Sequence, residues 1–297
     1  MRNAVLVVNP FASRVDEATL ERVEAELRRA VELRTIRTER PGHATELVSS
    51  ACRDGAGAIL VYSGDGGFNE ALNGLGADVP IGFLPGGGTS VLSRALGLPP
   101  DPVQAARQLA GTLALGRTRR ITLGCVNGRR FAFGAGIGLD AEAVRRVDEM
   151  GRRNDGRRPG DLAFALAIVR AVVAQRGRLE PQLEVAGFGR AALAFVANGS
   201  PYTYAKGVPL PIAPEADFEL GLDLVAPIEI RRRSLVREAL RILTGRVRRG
   251  PYLYGHDLDR IEIRCDRPMP LHTDGEDLGD VEEAVFEAER DAVAVLV

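Results

Sequence analysis

Two stretches of this 297-residue chain carry residue types that could hold a phosphate. Ser63-Gly64-Asp65-Gly66-Gly67 follows the apolar run 58–62 and precedes a helical pattern over 68–75. Pro85-Gly86-Gly87-Gly88-Thr89 follows the apolar run 80–84 and precedes a second helical pattern over 90–96. Glycines let backbone amides close around an anion, and a helix N-terminus adds unpaired N–H groups. Asp65 is the odd member, because a carboxylate repels phosphate. It suits chemistry if it holds Mg²⁺ or takes a proton from a nucleophile, and it suits architecture if it caps a helix beginning at Phe68. Two such loops on neighbouring strands favour the chemistry. A late acidic run, Asp274-Gly275-Glu276-Asp277, reads either as an exposed turn or as the source of a general base.

Other counts remove competing chemistries. Of 39 basic side chains one is a lysine, Lys206, and it stands in Tyr204-Ala205-Lys206-Gly207. A P-loop needs Gly-Lys-Ser/Thr and a protein kinase needs a strand lysine, and neither context is present. Phosphate would therefore be met by amides, arginines and a metal. Cys52, Cys125 and Cys265 are scattered, as are His43, His256 and His272, so neither a disulfide framework nor a zinc motif is indicated. A net charge of −1 argues against a dedicated nucleic-acid binder. The apolar run 162–169 is too short to span a bilayer, and the N-terminal run ends at Asn9-Pro10, reading as a buried strand rather than a signal peptide. A reducing cytoplasm is the expected setting.

These residues must be positioned by two kinds of architecture. Over the first ~120 residues apolar strands (4–8, 31–37, 58–62, 80–84) alternate with helical patterns (16–31, 44–53, 68–75, 90–96, 102–115). That alternation predicts a parallel sheet covered on both faces. After residue 120 the pattern changes. Strands are expected at 121–126 and 130–133 around an Asn127-Gly128 turn, then at 182–185, 191–197, 222–225, 260–265 and 281–286. Helices are expected at 141–150, 161–175 and 234–245. The expected domains are therefore 1–120, α/β, and 121–297, mostly antiparallel β, with the tail 288–297 free to return to the first. Gly134-Ala135-Gly136-Ile137-Gly138 lacks the βαβ setting of a dinucleotide fingerprint.

Taken in order, Asn9-Pro10, Gly42-His43-Ala44, Ser63-Gly64-Asp65-Gly66-Gly67-Phe68-Asn69-Glu70 and Leu84-Pro85-Gly86-Gly87 resemble the diacylglycerol kinase catalytic domain family, which includes bacterial lipid kinases and sphingosine kinases. The likeness continues through Gly136-Ile137-Gly138-Leu139-Asp140-Ala141, Gly221-Leu222-Asp223 and Asp274-Gly275-Glu276. The resemblance implies an NAD kinase/diacylglycerol kinase-like fold: an N-terminal α/β nucleotide-binding domain and a C-terminal antiparallel β-sandwich, with the active site in the cleft between them. It implies transfer of the γ-phosphoryl of ATP, with Mg²⁺, to a lipid alcohol such as diacylglycerol, and so a part in phospholipid biosynthesis. By motif position Asn9, Thr38, Ser63, Gly64, Asp65, Gly66, Gly67, Asn69, Gly87 and Gly88 contact the nucleotide. Glu276 is the proton acceptor, Asp274 and Asp65 are supporting carboxylates, and Asp223 is the metal candidate.

The chain departs from the family pattern at defined places. Ser63 and Gly67 stand where Gly and Thr are usual, Gly88 and Ser90 where Thr and Asn are usual, and Leu220-Gly221 where many relatives have Asp-Gly beside a metal. Each lost phosphate-directed hydrogen bond would weaken binding by about 1–3 kcal/mol. Lipid access implies peripheral contact with the inner face of the membrane. Arg145-Arg146, Arg152-Arg153, Arg157-Arg158 and the stretch 231–249, with Leu235, Ala239, Ile242 and Leu243 at helical spacing, are the candidate basic segments. The same arginines also read as a solvated face over a core stripe, and 162–173 as a core or acyl-pocket helix. A homodimer is compatible with the sequence. The alternatives are a non-catalytic lipid- or nucleotide-binding relative, for which Gly67, Gly88 and Ser90 speak, and an NAD kinase-like enzyme sharing the Gly-Asp-Gly loop.

Overall fold

The computed structural model describes residues 3–76, 78–149, 178–201, 203–205, 208–231, 237–238, 241 and 244–297. The expected helix 161–175, the arginine pairs at 152–153 and 157–158, Lys206, and most of the expected helix 234–245 lie outside them. The chain divides into two compact units, Met1–Ile121 with Asp291–Val297, and Thr122–Arg290.

The first unit alternates strand and helix: β1 (Asn3–Val8), α1 (Glu17–Leu27), β2 (Glu32–Arg37), α2 (His43–Arg53), β3 (Ile59–Ser63), α3 (Asp65–Gly74), β4 (Ile81–Pro85), α4 (Val91–Ala95) and α5 (Pro102–Leu115). The four strands are parallel in the order β4-β3-β1-β2. β3 and β4 are buried along their whole length, which is why they read as unbroken apolar runs. α1 packs against α5 and α2 against α3, with Phe68 edge-on to Phe83 at 5.0 Å. Asp16 and Asp101 cap α1 and α5 through the N–H groups of Thr19 and Gln104 at 2.8 Å. From β1 the chain steps outward to β2, and from β3 it steps the other way to β4. The β1/β3 boundary is thus the switch point where open α/β sheets bind ligands. α3 begins at Asp65 rather than at Phe68. Gly64 takes the extended N-cap conformation, and the loop's own Gly66 and Gly67 form the first helical turn.

The second unit is mainly antiparallel. Its elements are β5 (Arg119–Val126, entering from the first unit), β6 (Arg129–Phe131), β7 (Gly134–Ile137), α6 (Leu139–Glu149), β8 (Arg178–Leu179), β9 (Leu183–Val185), β10 (Gly189–Ala191), β11 (Ala194–Ala197), β12 (Thr203–Ala205), β13 (Val208–Leu210), β14 (Leu222–Pro227), β15 (Ile230–Arg231), β16 (Tyr252–Leu258), β17 (Arg260–Thr273) and β18 (Glu276–Val295, whose end from Asp291 belongs to the first unit). The main path runs β16-β14-β11-β7-β17-β18. β11 and β14 are buried throughout because cores lie on both of their faces. Val196 and Leu224 join Phe131, Ile263 and Phe286 in one cluster, while Phe195 and Val225 join Leu193 and Ile230 in another.

Several expected strands are redrawn. The run 191–197 is two strands: β10 pairs with β9, and β11 pairs with β7 and β14. The strand expected at 260–265 continues to Thr273, passing Pro268 and Pro270 by register shifts. β7 and β16 had no sequence signal as strands. β7 is nearly all Gly and Ala, and its Gly136 lies opposite both Phe195 and His272, which supply the bulk that the strand lacks.

Candidate active site

The two glycine loops of the first unit touch backbone to backbone. A Cβ on Gly87 would lie 2.8 Å from the Cα of Gly64, and one on Gly64 3.3 Å from the Cα of Gly87, so Gly87 has no room for a side chain and Gly64 little. Gly67 is closed off in another way. A Cβ there would overlap the Ser63 hydroxyl and lie 2.8 Å from the Ser63 Cβ. The two departures from the family pattern in this loop are therefore one exchange, because the Ser63 hydroxyl fills the space that a side chain on residue 67 would enter. Ser63 is 2% exposed, and its Oγ is buried without a hydrogen-bond partner. An unpaired buried hydroxyl costs free energy unless something completes it. It stands at the end of β3, where the first N–H groups of α3 lack intrahelical partners. At Gly66 and Gly88, by contrast, a Cβ would meet nothing within 4 Å, leaving the backbone open to an incoming group.

Asp65 ties the loops together. Its Oδ2 accepts from the Val91 N–H and its Oδ1 from the Leu92 N–H, both at 3.0 Å. It does cap a helix, but the helix is α4, twenty-six residues on, and not one starting at Phe68. The cap is needed because Ser90, left-handed at φ 48°, makes no side-chain cap bond; its Oγ accepts from the Gly87 N–H and donates to the Gly87 carbonyl instead. The remaining predicted residues of the first unit follow β1 and β2 or lie within α3. Asn9 ends β1, its N–H donating to the Tyr62 carbonyl at 3.0 Å and its Oδ1 accepting from the Phe11 N–H at 3.0 Å. Thr38 is buried just after β2 and donates its N–H to the Val8 carbonyl. Asn69 is buried within α3, where its Oδ1 and carbonyl accept from the Asn73 amide. Glu70 accepts from the Ala44 N–H, which explains why the Gly42-His43-Ala44 motif accompanies this loop.

In the second unit the Asp274-Gly275-Glu276 turn is anchored, not loose. The Asp274 carboxylate accepts from three successive amides, Ala132 at 2.7 Å, Phe133 at 2.9 Å and Gly134 at 3.0 Å, and its own N–H donates to the Gly134 carbonyl. The exposed-turn reading of this motif therefore fails for Asp274, whose work is to hold the β6–β7 bend. Glu276 follows half-exposed, with Oε2 2.6 Å from the Arg129 guanidinium. Arg129 was not singled out from sequence, and nothing local connects it to a residue 147 positions away.

Asp223 is fully buried on β14. Its Oδ1 lies 2.8 Å from His256 Nδ1 and accepts from the Asp257 N–H at 3.1 Å, while Oδ2 is unpartnered. Burial pushes its carboxyl above the ordinary range, against the lowering effect of those two hydrogen bonds. Among the described residues no three His, Cys, Asp or Glu side chains group as metal ligands. A single buried carboxylate with one oxygen shared with an imidazole does not supply the several oxygen ligands of a resident Mg²⁺ at Asp223.

Most of the described arginines of the basic segments have a carboxylate partner. Arg145 pairs with Asp277 and Asp280, Arg146 with Glu142, Arg231 with Glu229, Arg241 with Glu238 and Arg248 with Glu215. No described helix is long and apolar enough to cross a membrane.

Residues 3–126 match the diacylglycerol kinase catalytic domain model, and residues 134–297 match the YegS C-terminal NAD kinase beta sandwich-like domain. The chain is 27% identical over 284 residues to a diacylglycerol kinase of Bacillus subtilis (strain 168), covering 93% of this chain and 90% of that one. It is 32% identical over 206 residues to a diacylglycerol kinase of Mycobacterium tuberculosis, covering 65% and 62%. A solved structure described as a diacylglycerol kinase from Bacillus anthracis superposes with a TM-score of 0.72 at 19% identity, covering 99% of this chain and 96% of that one. With both domains matched in order, the chain belongs to the diacylglycerol kinase-like lipid kinase family.

Proposed function

We propose that this chain transfers the γ-phosphoryl group of ATP to the hydroxyl of diacylglycerol or a related lipid alcohol. The observation that carries the reading is the buried, unpartnered Ser63 hydroxyl beside the two glycine loops at the switch point of the first unit. A phosphate oxygen is the acceptor that this hydroxyl lacks, at the start of a helix whose N-terminus favours an anion. The glycine loops would hold the nucleotide, and Glu276, kept in place by Arg129 and by the anchored turn, would accept the proton. As the lipid oxygen bonds to the γ-phosphorus, the bond from that phosphorus to the bridging oxygen of ADP breaks, and the hydroxyl proton passes to the Glu276 carboxylate. Mg²⁺ would come with ATP as the counter-ion of its phosphates. The reading has the enzyme meeting its lipid at a membrane surface; the paired arginines of the described segments add little net charge to that encounter.

The test is transfer of labelled γ-phosphate from Mg·ATP into a bacterial lipid extract in mixed micelles. A labelled lipid that is lost with Glu276→Gln supports the reading and identifies the substrate by its mobility. No product from folded protein would leave a binding protein, and phosphorylation of NAD without lipid would make it an NAD kinase.

A further inference from the structure

We propose that Phe11 is the platform on which the purine base of the nucleotide stacks, an inference that rests on the nucleotide-binding reading above. Three large hydrophobic side chains are exposed among the described residues, and Phe11, 60% exposed, is the aromatic one. It stands immediately after β1, at the same switch point as Ser63.

The loop that carries it is fixed at several points. The Phe11 N–H donates to Asn9 Oδ1, the Ala12 N–H to the Asn9 carbonyl at 3.1 Å, and the Arg14 N–H to the Gly86 carbonyl at 2.9 Å. The Tyr62 hydroxyl donates to the Arg14 carbonyl at 3.1 Å, and Val15 packs beside Gly86. The backbone is thus bonded to both glycine-loop strands while the ring is left in solvent. An exposed aromatic on a flexible loop needs no explanation, but one on a loop pinned next to a phosphate cradle is a preorganised flat surface.

Sheet geometry sets the direction. The phosphate loops follow β3 and β4, and neighbouring strands are about 4.8 Å apart. In this proposal a nucleotide with its phosphates over β3 and β4 extends its sugar and base along the strand order toward β1 and β2. Phe11 and Thr38 follow those two strands. One or two strand spacings, about 5–10 Å, is the reach of a ribose from its phosphates. A neutral planar purine has a π-face for the ring and no charge for the loop to oppose.

The chain contains no tryptophan, so Phe11→Trp creates a single fluorescent reporter. Its emission should be quenched by ADP and unaffected by inorganic tripolyphosphate. Phe11→Ala should weaken ADP binding by about 5- to 150-fold, the range expected for loss of one base–aromatic stack. Its tripolyphosphate affinity should stay at the wild-type value, which also shows that the variant is folded. ADP binding by Phe11→Ala equal to wild type would overturn the proposal. So would Trp emission that ignores ADP and shifts to the blue on phosphatidylglycerol vesicles, which would assign the ring to lipid. Wild-type protein that binds neither ADP nor tripolyphosphate would overturn the nucleotide reading itself, and the stacking proposal with it.

Discussion

Gly67→Ala pits two known effects against each other in one residue. Gly67 lies in the first turn of α3, and alanine in a helix is favoured over glycine by about 0.5–1 kcal/mol. The added Cβ, however, would overlap the Ser63 hydroxyl and lie 2.8 Å from the Ser63 Cβ. Rotating the hydroxyl away relieves the first contact and leaves the second, because the Ser63 Cβ moves only with the end of β3. Overpacking of this kind costs about 1–3 kcal/mol, so the clash wins and the net effect is destabilising by about 1 kcal/mol. In a Ser63→Gly background both contacts vanish, and the next atom, Asn9 Nδ2, is at an ordinary 3.9 Å. There the same substitution should stabilise by about 0.5–1 kcal/mol. Urea unfolding of the four members of this cycle reads the coupling directly, and a value of about 1–3 kcal/mol is expected. Equal effects of Gly67→Ala in the two backgrounds would refute the claim that Ser63 and Gly67 are one exchange. The pair Ser63→Gly with Gly67→Thr, which returns the hydroxyl from the helix side, should recover nucleotide binding that Ser63→Gly alone loses.

Ser63→Ala should leave stability unchanged or slightly raised, since the hydroxyl is unpartnered, yet weaken nucleotide binding by about 10- to 100-fold in an equilibrium titration. Asp274→Ala strands three backbone N–H groups and should cost about 3 kcal/mol or more in urea unfolding; Glu276→Gln, half-exposed, should stay within about 0.5 kcal/mol of wild type. Asp277 is pushed up by burial, but its hydrogen bonds from Arg145 and the Gly279 N–H outweigh that and hold its pKa below 3.8. Its contribution to stability is therefore present above pH 3.8 and is lost as pH falls through the depressed value. In acid titrations of stability, Asp277→Asn should flatten that part of the loss, and an unchanged acid limb would count against the pairing.

Much of the first unit was readable because each signal was local. β3 and β4 are buried on both faces and read as plain apolar runs, and each ends in glycines where a helix begins. The site was readable as residue types in order and much less as partners. Asp65 was expected near phosphate or as the cap of its own helix; the helix it caps is α4, because Ser90 cannot. Asp274 was seen as a carboxylate beside Glu276, while its three amide donors come from about 140 residues earlier. Nothing in the spacing of Gly134-Ala135-Gly136-Ile137 marks a strand, since its bulk is provided by Phe195 and His272 on its neighbours. Long-range pairing of that kind leaves no periodic trace in a single sequence.

The pairing of Val295 with Ile81 has a consequence for how the first unit comes into being. The Leu296 N–H bonds the Ile81 carbonyl at 2.8 Å, and Val293, Val295 and Leu296 are buried in that unit. During synthesis β4 therefore waits through some two hundred further residues with one edge open, the exposure that invites a nascent strand to pair wrongly. A shortened chain ending near Ile121 would keep that edge for good. An isolated first unit should be made with residues 291–297 rejoined to it through a linker, so that this distant strand still closes the first sheet.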